Sequence, residues 1–252
     1  MSATGPDINQ PGGVFHASNH PNIAGREQEL RSLADSVRRL IVATNDNSAS
    51  AEQTAQFAAE LDAIADRLEA TVSPDYDRYA VLPSSSRANG EPPEHPRDLF
   101  NYDYVLGPYN PLALPIRSEW QPPKAICHAQ FTHPYEGPPG CVHGAVLAAA
   151  FDQVFNVANM MSGVPGPTAR LSLHYHKPTP LEKPIVFEAE VVERAGKKIT
   201  TKGIARCGDV VTVRAEGLFI MISSSEIGSL RREAAKKWPD LGMYEGDANS
   251  AT

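Results

Sequence analysis

The stretch from His143 to about Met161 constrains the fold more than any other part of this chain. Small and apolar residues fall on nearly every side of it (Ala145, Val146, Leu147, Ala148, Ala149, Ala150, Phe151, Val154, Phe155). The run predicts a helix, and a helix that is apolar all round must be wrapped by other structure. Strand-like stretches follow at about 168–176, 185–194, 198–207 and 210–222. Their breaks are Pro178-Thr-Pro, Ala195-Gly196 and Gly208-Asp209, and the last two suit hairpin turns. A further strand is expected at 125–132, with a turn at Gly137-Pro-Pro-Gly140. One buried helix followed by an antiparallel meander is the α+β pattern in which a curved sheet closes around a helix.

The first part of the chain follows a different period. Residues 1–25 are rich in Gly, Pro and Asn and are expected to form a mobile arm. From Arg26 to Thr44, Leu30, Leu33, Ala34, Val37, Leu40 and Ile41 recur at spacings of three and four, the mark of one helix face. After a polar turn at 45–50, Phe57, Leu61, Ile64, Ala65 and Leu68 repeat the pattern. The expectation is an antiparallel helical hairpin over 26–72, its apolar stripe packed on the main body or on its copy in a second chain. Residues 73–123, with Pro83-Ser-Ser-Ser, Glu91-Pro-Pro and Gln121-Pro-Pro, read as a connection, the linker proper taken as 73–111. The main domain is expected over 112–223, and 224–252 as a short basic helix and a tail.

Composition excludes several functions. With 41% hydrophobic and 21% charged residues, 252 residues can bury an ordinary core. The longest strongly apolar run, 142–151, is far short of the ~20 residues of a membrane helix. Neither a basic start nor an apolar core marks the N-terminus, so a secretory signal is not expected and cytoplasm is the expected compartment. Three cysteines without metal-like spacing (Cys127, Cys141, Cys207) read as reduced thiols. Residues 1–98 hold 8 Arg and no Lys against 15 acidic residues, whereas the remainder holds 15 of each sign. An acidic front and a neutral body make a poor nucleic-acid binder, since affinity for a phosphate backbone needs clustered positive charge.

Chemistry concentrates between Tyr135 and Asp152. A stiff Pro-Pro turn feeds straight into the central helix, so the amides of Gly144 and Ala145 lie at its positive end, where a developing oxyanion would be stabilised. A plainer reading is that His143 caps the helix. Asp152 is a carboxylate within an apolar helix, costly to bury unless bonded, paired or beside a wet site. Nine residues at ~1.5 Å separate it from His143 by roughly 13 Å, so one chain cannot bring both to one carbonyl. Two such helices packed antiparallel about a two-fold axis can.

The set His143-Gly144-Ala145, Asp152 nine positions on, then Thr168-Ala-Arg170-Leu-Ser-Leu-His174-Tyr-His176-Lys177-Pro178, resembles the hotdog-fold acyl-CoA thioesterases. Within them it is most similar to the group of the phenylacetate-pathway thioesterases and C-terminal modulator protein. The resemblance covers about 112–223 and does not reach 1–98. It implies a hotdog fold, a homodimer or dimer of dimers, an acyl-CoA substrate and no cofactor. It further implies that His143 and Gly144 position and polarise the thioester carbonyl, that Asp152 activates water or attacks directly, and that Thr168 helps hold the water. The chain departs at Ala145, where the family usually has Gly: the amide donor is kept, but the methyl could narrow the thioester channel.

Lys197-Lys198 matches a basic pair that similar proteins turn toward the phosphates of CoA, and Arg170 and Lys177 are further candidates; each also reads as a solvated strand-end charge. His174 and His176 share a strand face without an evident third metal ligand, so no metal site is expected. Cys141 lacks the partners of a thiol nucleophile, and His133 and Glu136 are candidates for the site entrance. A hotdog hydratase or dehydratase is disfavoured by the lack of the expected Asp and His pair on the segment preceding the central helix. The reading from another class is a non-catalytic acyl-CoA or acyl-carrier binding module with the hairpin as its interaction arm.

Overall fold

The computed structural model describes residues 23–72, 101–164 and 166–221, together with Glu233 and Lys237. The expected arm (apart from 23–25), the linker up to 100 and nearly all of the C-terminal helix and tail lie outside the described residues. Two helices come first, α1 (Glu27–Asn45) and α2 (Ala51–Glu69), then strands β1 (Ile116–Gln121) and β2 (Lys124–Ala129), then the central helix α3 (Gly144–Met161). Strands β3 (Thr168–Tyr175), β4 (Ile185–Ala195), β5 (Lys198–Cys207) and β6 (Val210–Ile220) complete the described part.

The six strands form one antiparallel sheet in the order β1-β2-β4-β5-β6-β3. Its concave face holds α3, as expected for a helix apolar on every side. Leu147, Ala150, Phe151, Val154, Phe155, Val157 and Ala158 are all buried. Phe151 meets Phe187 of β4 edge-on at 5.2 Å between centroids, and Phe155 meets Phe219 of β6 at 6.2 Å. Close approach depends on two strand glycines. A Cβ on Gly203 would stand 2.8 Å from the Phe155 ring, and one on Gly217 would stand 2.7 Å from it. Deep in the same layer the Thr201 hydroxyl donates to Asn159 Oδ1 at 2.5 Å.

One strand was not anticipated. β1 falls within the Pro-rich stretch read as a connection, and Gln121-Pro-Pro-Lys124 is the turn of its hairpin with β2. Ahead of it, residues 101–115 are not a free tether. Val105 and Leu114 sit in the core, and Arg38 of α1 donates to the carbonyls of Gly107, Pro108 and Asn110 at 3.3, 3.2 and 2.6 Å.

Both predicted hairpin helices form, and the sequence between them sets the end of one and the start of the other. Ser50 caps α2 with a reciprocal capping box to Gln53, and the polar turn before it breaks the apolar period. They fare differently in packing. α1 buries Ala34 and lays Leu30 against Ile23 and Tyr109, and Asp46 at its end meets His133 Nδ1 at 2.9 Å. α2 buries no residue, and Phe57, Leu61, Ile64 and Leu68 remain exposed along one face. An open apolar groove of about 470 Å³ runs between Leu61, Ile64 and Leu68 of that face and Val37, Leu40 and Ile41 of α1. Of the stripe, the body covers only the part of α1 around Leu30 and Ala34, while Leu33 and Leu40 stay exposed.

Candidate active site

The turn before α3 is built to present His143. Gly140 adopts φ 73°, and its amide donates to Glu136 Oε1 at 2.6 Å, closing the Gly137-Pro-Pro-Gly140 loop. A Cβ on Gly137 would stand 2.8 Å from the His143 backbone, so only glycine allows the loop to fold so tightly onto it. The His143 amide donates to the Tyr135 carbonyl at 2.8 Å, and Val142 is tied to Thr179. Glu136 therefore latches the turn and His133 links it to α1. The Asp46 bond raises the His133 pKa above its ordinary value.

His143 is the N-cap of α3, and its Nδ1 accepts from the Ala145 amide at 3.0 Å. Of the two amides expected to be open at the helix start, that of Ala145 is thus engaged. The Gly144 amide has no partner among the described residues. His143 and Ala145 are exposed and Gly144 is half-buried.

Eight residues along α3, Asp152 is half-buried and accepts at Oδ1 a hydrogen bond of 2.6 Å from the Thr168 hydroxyl. A bulge makes this contact possible. Leu171 and Leu173 of β3 face the core, and strict alternation from them would turn Thr168 outward. The register slips by one residue between Thr168 and Arg170, which returns Thr168 to the helix side. Gly144 and Asp152 of one chain are ~12 Å apart along the axis, at 1.5 Å per residue.

Alternation also places Tyr175 on the inner face, after Leu171 and Leu173, where its hydroxyl donates to the Gly144 carbonyl at 2.9 Å. Sequence reading passed over this residue, although the period-two signal was present. The same parity sends Arg170 outward, to Glu216 at 3.7 Å, on the sheet face away from Asp152. Lys202 meets the same carboxylate at 3.3 Å. Lys198 opens β5 beside Ile199, and Ile199 and Thr168 both pair with Phe219 from opposite sides. The turn bearing Lys197 and Lys198 therefore stands two strands from Thr168, at the same end of the sheet. Lys177 lies at the other end, just beyond Tyr175. His174 and His176 stack at 6.5 Å, and among the described residues no three His, Cys, Asp or Glu form a metal site. Cys127 is buried with its thiol pKa pushed up by desolvation, which makes it inert, and the Cys141 thiol faces the Pro139 carbonyl.

A crystal structure of a thioesterase superfamily protein is 36% identical to this chain, covers 76% of it and 90% of that protein, and superposes with a TM-score of 0.66. This chain belongs to the thioesterase superfamily. The superfamily's sequence model matches residues 139–213, from the turn before α3 into β6. Human acyl-coenzyme A thioesterase THEM5 is 30% identical over 105 residues, 41% of this chain and 42% of the human protein. The match thus spans about two fifths of that relative's length. Membership agrees with the hotdog arrangement of sheet and helix. Among the described residues no helix is long and apolar enough to cross a membrane.

Proposed function

We propose that this thioesterase hydrolyses acyl-CoA thioesters with Asp152 as the activating carboxylate. The observation that carries the reading is the Thr168–Asp152 bond. It fixes the carboxylate by one oxygen and leaves Oδ2 to take a proton from water. The water oxygen attacks the thioester carbonyl carbon while its proton passes to Asp152. The oxyanion is held by the Gly144 amide at the positive end of α3, beside the His143 imidazole. Collapse breaks the C–S bond, and the proton returns from Asp152 to the departing CoA sulfur. Acid and CoA thiol are the products, and no metal or other cofactor enters the balance.

The ~12 Å between Gly144 and Asp152 on one helix supports a site shared by two chains, each giving its helix start to the other's Asp152. β3 is an edge strand with its first and last residues exposed, which suits pairing with a second copy. In such a dimer the Gly144 end of one chain, with Lys177, approaches the Asp152 end of the other, with Lys197 and Lys198. Those three lysines are then candidates for the phosphates of CoA, whereas Arg170 points to Glu216 on the outer face of the sheet. The resemblance adds a likeness to the group of the phenylacetate-pathway thioesterases and C-terminal modulator protein, and residues 112–223 as the proposed catalytic unit.

The engaged Ala145 amide favours one rival, an acyl-CoA or acyl-carrier binding module without turnover. Purified protein is offered a panel of acyl-CoAs with a thiol reagent as readout. Turnover that falls by about 10²-fold or more in Asp152→Asn, with CoA affinity kept, is the expected result. Binding without turnover in the wild type selects the module, and a loss of only a few-fold removes Asp152 from its role.

A further inference from the structure

Tyr175 and His143 sit at opposite ends of a single peptide group. The phenol donates to the Gly144 carbonyl at 2.9 Å, and the N–H of that same Gly144–Ala145 peptide donates to His143 Nδ1 at 3.0 Å. We propose that Tyr175 is a positioning residue for His143. Acting through the Gly144–Ala145 peptide, it holds the imidazole as its Nε2–H tautomer, with that N–H presented as a donor to the thioester carbonyl of bound acyl-CoA. The inference rests on the thioesterase reading above.

Each link follows from donor and acceptor chemistry. A carbonyl oxygen only accepts, so the phenol is the donor; its ordinary value of about 10 already keeps it protonated at neutral pH, and partial desolvation raises it further. An amide whose oxygen accepts a hydrogen bond is polarised and gives its own N–H more strongly, so the two bonds reinforce each other. A neutral imidazole has one donor and one acceptor nitrogen. With Nδ1 accepting from the Ala145 amide, the proton must sit on Nε2.

The backbone of His143 is anchored separately, by its amide to the Tyr135 carbonyl. The imidazole ring lies against Gly137, and among the described residues its hydrogen bond is the one from the Ala145 amide. Tyr175 is 54% exposed, so core packing does not account for its placement. It presses on the start of α3, where a Cβ on Gly144 would lie 3.3 Å from its hydroxyl and 3.4 Å from Cζ. Strand β3 thus serves both ends of the chemistry: Thr168 orients the acid and Tyr175 orients the group that meets the carbonyl.

The test uses the full chain with Tyr175→Phe, His143→Ala and the double variant, beside Asp152→Asn. Tyr175→Phe should lower kcat about 3- to 10-fold, the loss of one hydrogen bond, and move KM by less than about twofold. His143→Ala should lower kcat further, and adding Tyr175→Phe to it should change nothing more, because the phenol acts only through the ring. Long-range 1H–15N NMR should show His143 as a single Nε2–H tautomer in the wild type and as a mixture in Tyr175→Phe. The proposal is overturned by an Nδ1–H tautomer in the wild type, by an unchanged kcat in Tyr175→Phe, or by an equal loss with and without His143. Should Tyr175→Phe fail to fold, the wild-type tautomer still decides. Should Asp152→Asn stay active, the thioesterase mechanism fails, while the tautomer measurement still judges the link.

Discussion

Two inactive variants should restore each other if the site is shared between chains. Asp152→Asn removes the group that takes the proton but keeps a carbonyl oxygen for the Thr168 hydroxyl, which now donates at 2.6 Å, so α3 and β3 stay joined. Gly144→Val damages the other end. A Cβ there already meets the Tyr175 hydroxyl at 3.3 Å and its ring at 3.4 Å, so two further methyls must displace the phenol or the helix start. The two positions are eight residues apart on one helix, ~12 Å, whereas nucleophile and carbonyl carbon must close to ~3 to 3.5 Å. In a dimer with two shared sites, a mixed pair holds one doubly damaged site and one intact site. With equal amounts and free exchange, about half of the dimers are mixed and half of their sites work, which restores roughly a quarter of wild-type turnover. The assay is thiol release from an acyl-CoA after subunit exchange, with mass spectrometry of differently tagged chains to count mixed dimers. Mixed dimers at their expected share without returning activity refute the shared site.

Replacing Lys197 and Lys198 with Ala should raise KM for acyl-CoA more at low salt than at high, since screening already weakens the wild-type contacts; an equal rise at every ionic strength argues against phosphate contact. Thr201→Val should destabilise by about 1–3 kcal/mol, read as a lower urea midpoint, because it strips the donor from Asn159, whose Nδ2 already has no partner among the described residues. The raised pKa of His133 predicts a pH dependence at the hairpin. Stabilisation by the Asp46 contact is complete below the ordinary histidine value of about 6.5 and fades as pH rises through the raised folded-state value. Hydrogen exchange at the end of α1 should therefore speed up, beyond its intrinsic rise, as pH climbs above the ordinary histidine value, and Asp46→Asn should abolish that excess; a flat profile means the contact contributes nothing in solution.

Local pattern alone determined much of this protein. A helix apolar on every side has to be enclosed, and Phe151, Val154 and Phe155 are indeed buried within the sheet. The strands after it were legible because hairpin turns at Ala195-Gly196 and Gly208-Asp209 punctuate a period of two, and the helical hairpin because its apolar residues recur at three and four. Asp152 and His143 stood out because a carboxylate in an apolar helix and a polar cap after a Pro-Pro turn each break their surroundings.

The tertiary structure decided what depends on residues far apart in sequence. Strand β1 was hidden by prolines that signal a turn equally well inside a connection or at a hairpin tip, and only pairing with β2 separates the two. Arg170 and Thr168 are close in sequence, yet a one-residue bulge sends them to opposite faces of the sheet. Tyr175 gains its place from a strand that returns to a helix start 31 residues earlier. The Ala145 amide looked open in sequence because a helix start always leaves free donors; the rotamer of the neighbouring His143 settles which of them stays open, and rotamers follow from packing that a linear pattern does not encode.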